Sequence, residues 1–168
     1  MTHKNSIFLL FITFVLMQSC VSVAKLSDFS RTAEGLDFDK VSTLKKSEND
    51  KSWNQKTGYE YYIKSEITDE SLIVSAIREA LYESGYDIKV YNGNSHTMIG
   101  ERGLRANEWN SIIGVYYQIS NEMTQIYIKC KITQDFTGGW KEDRAEKVGK
   151  VVCEKLGCME SYPVIGGQ

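Results

Sequence analysis

Proline and histidine are nearly missing from this chain. A single proline, Pro163, in 168 residues excludes a proline-rich linker or a polyproline recognition segment. His3 and His96 are the only histidines, so a histidine-rich metal site cannot be assembled and a histidine-based triad would rest on His96 alone. His96 itself reads as an exposed imidazole at a strand end. The chain also lacks a G-x-S-x-G elbow, a P-loop and an H-E-x-x-H helix, which removes the chemistries those motifs carry. Charge of one sign is missing too: 20 basic residues stand against 22 acidic ones, with no basic block to attract nucleic acid or an anionic membrane surface. Gly100-Glu101-Arg102-Gly103 has the spacing of an RNA-binding KH loop, but that loop joins two helices and this one ends a strand. What the chain does have is ten tyrosines and three tryptophans, a composition that favours a folded, strand-containing body.

The N-terminus carries the strongest signal. Lys4 precedes Ile7 to Met17, eleven mostly apolar residues, too few to span a bilayer but laid out like a secretory signal. Leu16-Met17-Gln18-Ser19-Cys20 follows. This stretch resembles a bacterial lipoprotein signal. The resemblance implies that residues 1–19 are removed, that Cys20 is lipidated, and that the protein is held in the cell envelope, facing the periplasm from the outer membrane. Two other outcomes compete: cleavage after Ser22-Val23-Ala24 to give a soluble exported protein, and an uncleaved anchor. Cleavage before Cys20 leaves 149 residues with 19 basic and 22 acidic side chains, a net charge of −3. That length suits one domain.

Residues 20–56 are polar and without sustained periodicity, so they are expected to form a tether, with a short helical piece around Leu36–Leu44. Regular structure is expected over residues 57–157, with 158–168 as a C-terminal tail. Tyr59 to Lys64 reads as a strand. Ile73, Ala76, Ile77, Ala80, Leu81 and Ser84 follow a helical face, with Thr68 as the expected N-cap, Ile67 and Leu72 as a hydrophobic staple, and Gly85 as the stop. Strands follow at Tyr86 to Val90 and His96 to Arg102. The next two, from Asn110 and from Thr124, can be registered by arithmetic. A four-residue loop over Ser120 to Met123 sets Ile119 opposite Thr124, Tyr117 opposite Ile126, Val115 opposite Ile128 and Ile113 opposite Cys130, all on one side. Tyr116 opposite Tyr127, Gln118 opposite Gln125 and Gly114 opposite Lys129 lie on the other. A last helix, Lys141 to Leu156, carries Ala145, Val148, Val152 and Leu156 in a stripe. The expected fold is α+β: a two-layer β-α-β-β-β-β-α domain, an antiparallel sheet with two helices packed on one face.

Beyond Cys20 there are three cysteines, Cys130, Cys153 and Cys158, so one thiol at least stays unpaired. Cys153 and Cys158 lack CxxC spacing. A continuous helix would separate them by about 7.5 Å of rise, too far for a bridge, but Gly157 marks a helix end. A 153–158 disulfide and three buried thiols both stay open.

Two surfaces qualify as candidate sites. The register brings residues 103–108 and 135–140 to one end of the sheet, making Arg102, Arg105, Trp109, Asp135, Phe136 and Trp140 neighbours. Aromatic residues with arginine are typical of interface hot spots, although such residues also simply close the end of a core. The sheet face opposite the helices offers Tyr62, Tyr116, Tyr127, Lys129 and Lys131, a set that equally serves as ordinary cross-strand pairing. No catalytic residue, metal ligand or cofactor site is expected. The body from Thr57 to Gly157, with Gly85-Tyr86 ending a helix, a meander and a closing helix, loosely resembles small envelope lipoprotein modules. The expected function is a non-enzymatic interaction module for an envelope protein, without nucleic acid. A small-ligand or lipid-binding domain and a thiol-dependent enzyme are the alternatives.

Overall fold

The computed structural model describes residues 24–45, 59–103, 110–132 and 144–164. Strands β1 (Tyr59–Ser65), β2 (Asp87–Asn92), β3 (Thr97–Arg102), β4 (Ser111–Ile119), β5 (Thr124–Ile132) and β6 (Cys158–Val164) form one sheet. Its order is β2-β3-β4-β5-β1-β6, and every neighbouring pair is antiparallel. Helices α1 (Phe38–Thr43), α2 (Glu70–Glu83) and α3 (Arg144–Leu156) accompany it. The chain is therefore α+β, as its sequence pattern requires.

The β4–β5 register matches the arithmetic pair by pair, from Ile119 opposite Thr124 to Ile113 opposite Cys130. Alternation explains why: Ile113, Val115 and Tyr117 share a core with Ile126, Ile128 and Cys130 under α2 and α3. A one-residue slip would turn all six outward. Helix α2 contributes Ile73, Ala76, Ile77, Ala80 and Leu81 to that core, and α3 contributes Ala145, Val148, Val152 and Leu156. Gly149 lets α3 lie close on β1, since a Cβ there would overlap the Tyr61 ring.

The start of α2 differs from expectation by one residue. Asp69, not Thr68, is the N-cap: its Oδ1 accepts from the Ser71 amide at 2.8 Å and the Leu72 amide at 3.4 Å. The shift leaves Leu72 outside and 53% exposed, so the Ile67–Leu72 staple does not form. A carboxylate cap outcompetes a hydroxyl because it also meets the helix dipole. The other end is as expected. Gly85 adopts φ +79°, with its amide donating to the Tyr82 carbonyl and that of Tyr86 to the Leu81 carbonyl, each at 2.9 Å. These two bonds define a Schellman stop.

Two corrections concern the ends of the chain. Residues 158–164 are not a tail. They form β6, which pairs with β1 and tolerates Pro163 because edge strands can spare an amide. Nor are residues 24–45 a free tether. They cross the second face of the sheet as a cover built from Phe29, Leu36, Phe38, Val41 and Leu44. At its far end Lys45 makes a single bridge to Val164 of β6. The short helix expected around Leu36–Leu44 lies within this cover as α1, capped by Asp37, which accepts from the Lys40 amide at 2.9 Å. The sheet thus carries α2 and α3 on one face and α1 with its flanks on the other, where two layers were expected.

Candidate functional site

The second face is organised by a row of tyrosines. Register places Tyr116 beside Tyr127, Tyr127 beside Tyr62, and Tyr62 beside Tyr162, one residue from each of four adjacent strands. The Tyr62 and Tyr162 ring centroids are 5.3 Å apart, and those of Tyr116 and Tyr127 are 6.2 Å apart. An open face was expected here, with Tyr62, Tyr116 and Tyr127 either as contacts for a partner or as ordinary cross-strand pairs. Instead all three are buried, because the cover segment lies on them. The Tyr116 hydroxyl donates to the Ser30 carbonyl at 3.1 Å and that of Tyr162 to the Ser42 carbonyl at 2.7 Å. The Tyr62 hydroxyl donates to Gln125 Oε1 at 2.8 Å. Burial pushes the Tyr62 and Tyr116 hydroxyls up to about 12 and Tyr127 higher, with the neighbouring Glu60 carboxylate adding to the effect. Lys129 lies 3.4 Å from Glu60 across β5 and β1. Lys131 reaches Asp28 of the cover at 3.6 Å. This face holds the protein together.

At one end of the sheet two segments, 104–109 and 133–143, connect adjacent strand ends to the rest of the chain. Arg102 ends β3 opposite Ser111, which begins β4 opposite Ile132 at the end of β5. Both segments therefore depart from adjacent strand ends, as the register implied. Of the residues expected to cluster there, Arg102 is described; Arg105, Trp109, Asp135, Phe136 and Trp140 lie outside the described residues. Arg102 is only 6% exposed. Beneath it runs a buried polar chain that the sequence did not announce. Arg144 Nη1, at the start of α3, donates to Ser111 Oγ at 2.6 Å. The Tyr86 hydroxyl lies 2.8 Å from the same Ser111 Oγ and 3.7 Å from Cys130 Sγ.

Burial pushes the Tyr86 hydroxyl far above its ordinary value, Cys130 adds to the effect, and the Ser111 hydrogen bond opposes it. Tyr86 is therefore a neutral hydrogen-bonding group, not a base. Cys130 is outside the disulfide and fully buried. Arg144 and Tyr86 were missed because each belongs to a different element, and no local spacing relates them. The only available signal was that both sit at element boundaries facing the expected end of the core.

His96 takes a left-handed conformation at φ 49° after a short 3-10 turn at Gly93–Ser95. Its ring packs at a tilt against Tyr117 with centroids 4.9 Å apart, and its Nε2 is 3.8 Å from Glu70 Oε1. The Tyr117 hydroxyl donates to the same Glu70 oxygen at 3.0 Å. Both His96 and Glu70 are open to solvent, so this trio secures the β2–β3 turn against α2.

No protein-family model matches the chain, and no curated protein matches it. Among the described residues no group of three or more His, Cys, Asp or Glu side chains is placed to hold a metal ion. No helix among them is long and apolar enough to cross a membrane. Cys153 and Cys158 are bonded, with Cα atoms 4.9 Å apart. Gly157, at φ +66°, ends α3 between them and brings the second cysteine back beside the first. What the described arrangement offers chemically is an end of the sheet that is charged but buried, at whose adjacent strand ends residues 104–109 and 133–143 begin.

Proposed function

We propose that this protein is a bacterial envelope lipoprotein, anchored through a lipid on Cys20, and that its domain is a non-enzymatic module that binds another envelope protein. The observation that carries the reading is the sequence Leu16-Met17-Gln18-Ser19-Cys20 placed after an eleven-residue apolar run. Two features of the fold support it. A disulfide between Cys153 and Cys158 suits a chain that matures outside the reducing cytosol. Ala24 is packed against Ile99 and Ile112, so cleavage before Cys20 keeps a residue the fold uses, whereas cleavage after Ala24 discards it.

The partner surface is assigned to the end of the sheet bearing Arg102, with Arg105, Trp109, Phe136 and Trp140 in the segments that leave it. Both sheet faces are already covered, one by α2 and α3 and the other by residues 24–45. This favours residues 104–109 and 133–143 over a face. The space between α2, α3 and the sheet is filled by Ile63, Ile73, Ile77, Met98, Ile113 and Ile128, which argues against a ligand groove there. A buried Cys130 argues against a thiol enzyme. Orientation towards the periplasm from the outer membrane belongs to the same proposal.

The test is a double variant, Trp109→Ala with Trp140→Ala, in the full lipidated chain. Its thermal melt should match the parent, while crosslinking in native membranes should lose the partner band. A retained partner band with an intact fold would reject the assignment.

A further inference from the structure

Ala24 is the first residue of the cover segment, and it is anchored in the fold. It packs with Phe29 against Ile99 and Ile112, and Leu26 and Val90 close the same cluster. Only Val21, Ser22 and Val23 stand between Ala24 and Cys20. The four residue-to-residue steps from Cys20 to Ala24 reach at most about 13–14 Å when fully extended. A lipid on Cys20 enters the bilayer at once, so whatever surrounds Ala24 is held within one short span of the headgroups.

We infer that the protein docks on a phospholipid surface through the corner of the sheet around Ala24, made by the start of the cover segment and strands β2 and β3, with the α2–α3 layer turned away. The inference rests on lipidation at Cys20. Lys25, Ser27 and Lys89 are exposed at this corner. Its charges are mixed: Asp87 of β2 is exposed as Lys25 and Lys89 are, and Asp28 is paired with Lys131 at 3.6 Å. Attraction to anionic lipid is therefore not what holds it. The short covalent link does, so the orientation is insensitive to salt and to the anionic fraction of the membrane. The residues of α2 and α3 that face solvent, Glu154 among them, lie on the far side of the sheet beyond a helix layer about 10 Å thick.

The experiment uses full-length protein extracted from membranes and reconstituted in vesicles of phosphatidylethanolamine and phosphatidylglycerol carrying a headgroup nitroxide. A fluorophore is attached at Ser27→Cys or, separately, at Glu154→Cys; the buried Cys130 does not compete for label. Lys89→Cys repeats the near-side reading at an independent position. Quenching should be several-fold stronger at Ser27→Cys and Lys89→Cys than at Glu154→Cys, at both low and high salt. Inserting roughly ten Gly and Ser residues between Val23 and Ala24, which adds about 15–20 Å of root-mean-square reach, should bring the near-side quenching down towards the Glu154→Cys level. Intact mass is read on the same samples. A lipidated protein with equal quenching at all positions, or with near-side quenching unmoved by the insertion, would overturn the docking inference and leave the anchor standing. An unmodified N-terminus would overturn both.

Discussion

Gly149 lies where α3 crosses β1, and it sets two opposing effects against each other. Alanine is better than glycine in a helix interior by about 1 kcal/mol. Here, however, the added methyl would overlap the ring of Tyr61, whose hydroxyl is held by Ser161 Oγ at 3.1 Å. The ring cannot step aside cheaply. Gly149→Ala should therefore destabilise the domain by about 1–3 kcal/mol, the usual range for overpacking, as read from the midpoint of chemical unfolding. A stabilised variant would show that α3 can lift off β1. Asp69 offers a test in pH. Hydrogen bonds from the Ser71 side chain and from the Ser71 and Leu72 amides hold its carboxyl below the ordinary value of 3.8. A lowered folded value means that its contribution is present above pH 3.8 and is lost as pH falls through the lowered value. Asparagine caps helices as well but does not titrate. Asp69→Asn should leave stability near neutral pH almost unchanged and flatten the acid limb of unfolding midpoint against pH. An unchanged acid limb would place the titration elsewhere.

At the level of elements, what was legible in the sequence depended on periodicity. The β4–β5 hairpin could be registered because the four-residue loop over Ser120 to Met123 fixes which residues face one another. That sets Ile113, Val115 and Tyr117 on one side with Ile126, Ile128 and Cys130, and one slip reverses the pattern. Helix α2 was legible from its period of 3.6. The cover segment was legible only in its short helix, expected around Leu36–Leu44 and found at Phe38–Thr43. That its apolar residues, Phe29 among them, lie against the sheet was not legible, because an apolar residue every few positions along an irregular path has no period to detect. Strand β6 was hidden by Glu160, Ser161 and Pro163, which read as a polar tail although an edge strand accommodates them. The candidate site was legible only where register reached: the shared departure point of two segments followed from pairing, while the Arg144–Ser111–Tyr86 chain joins three elements that no pattern links. The cover makes a direct prediction. Phe38 is buried against Tyr62, Tyr116 and Tyr127, so Phe38→Ala should cost about 3–5 kcal/mol and speed amide exchange along β1 and β6. A change under about 1 kcal/mol, within the range of ordinary surface substitutions, would mean that the cover is not part of the cooperative unit.

For the whole molecule, the proposed docking corner and the proposed partner surface are linked. Ile112, under Ala24, is next in sequence to Ser111, where the two segments leave the sheet. A partner reached through those segments would thus be met beside the bilayer, so a membrane-bound partner fits better than a freely diffusing one. The sheet order has a further consequence, for timing. β1, early in the chain, takes its final place between β5 and β6, and Tyr162 and Val164 of β6 complete the cluster on which α1 rests. Such distant pairings are slow to form, and here the earliest folded piece depends on the last. Removing residues 158–168 should leave a chain without a cooperative melt rather than a slightly weakened domain; a sharp transition in that truncation would refute this. While the chain is being made, the cover has nothing complete to close on. The protein must wait for β6 before both faces of its sheet are closed.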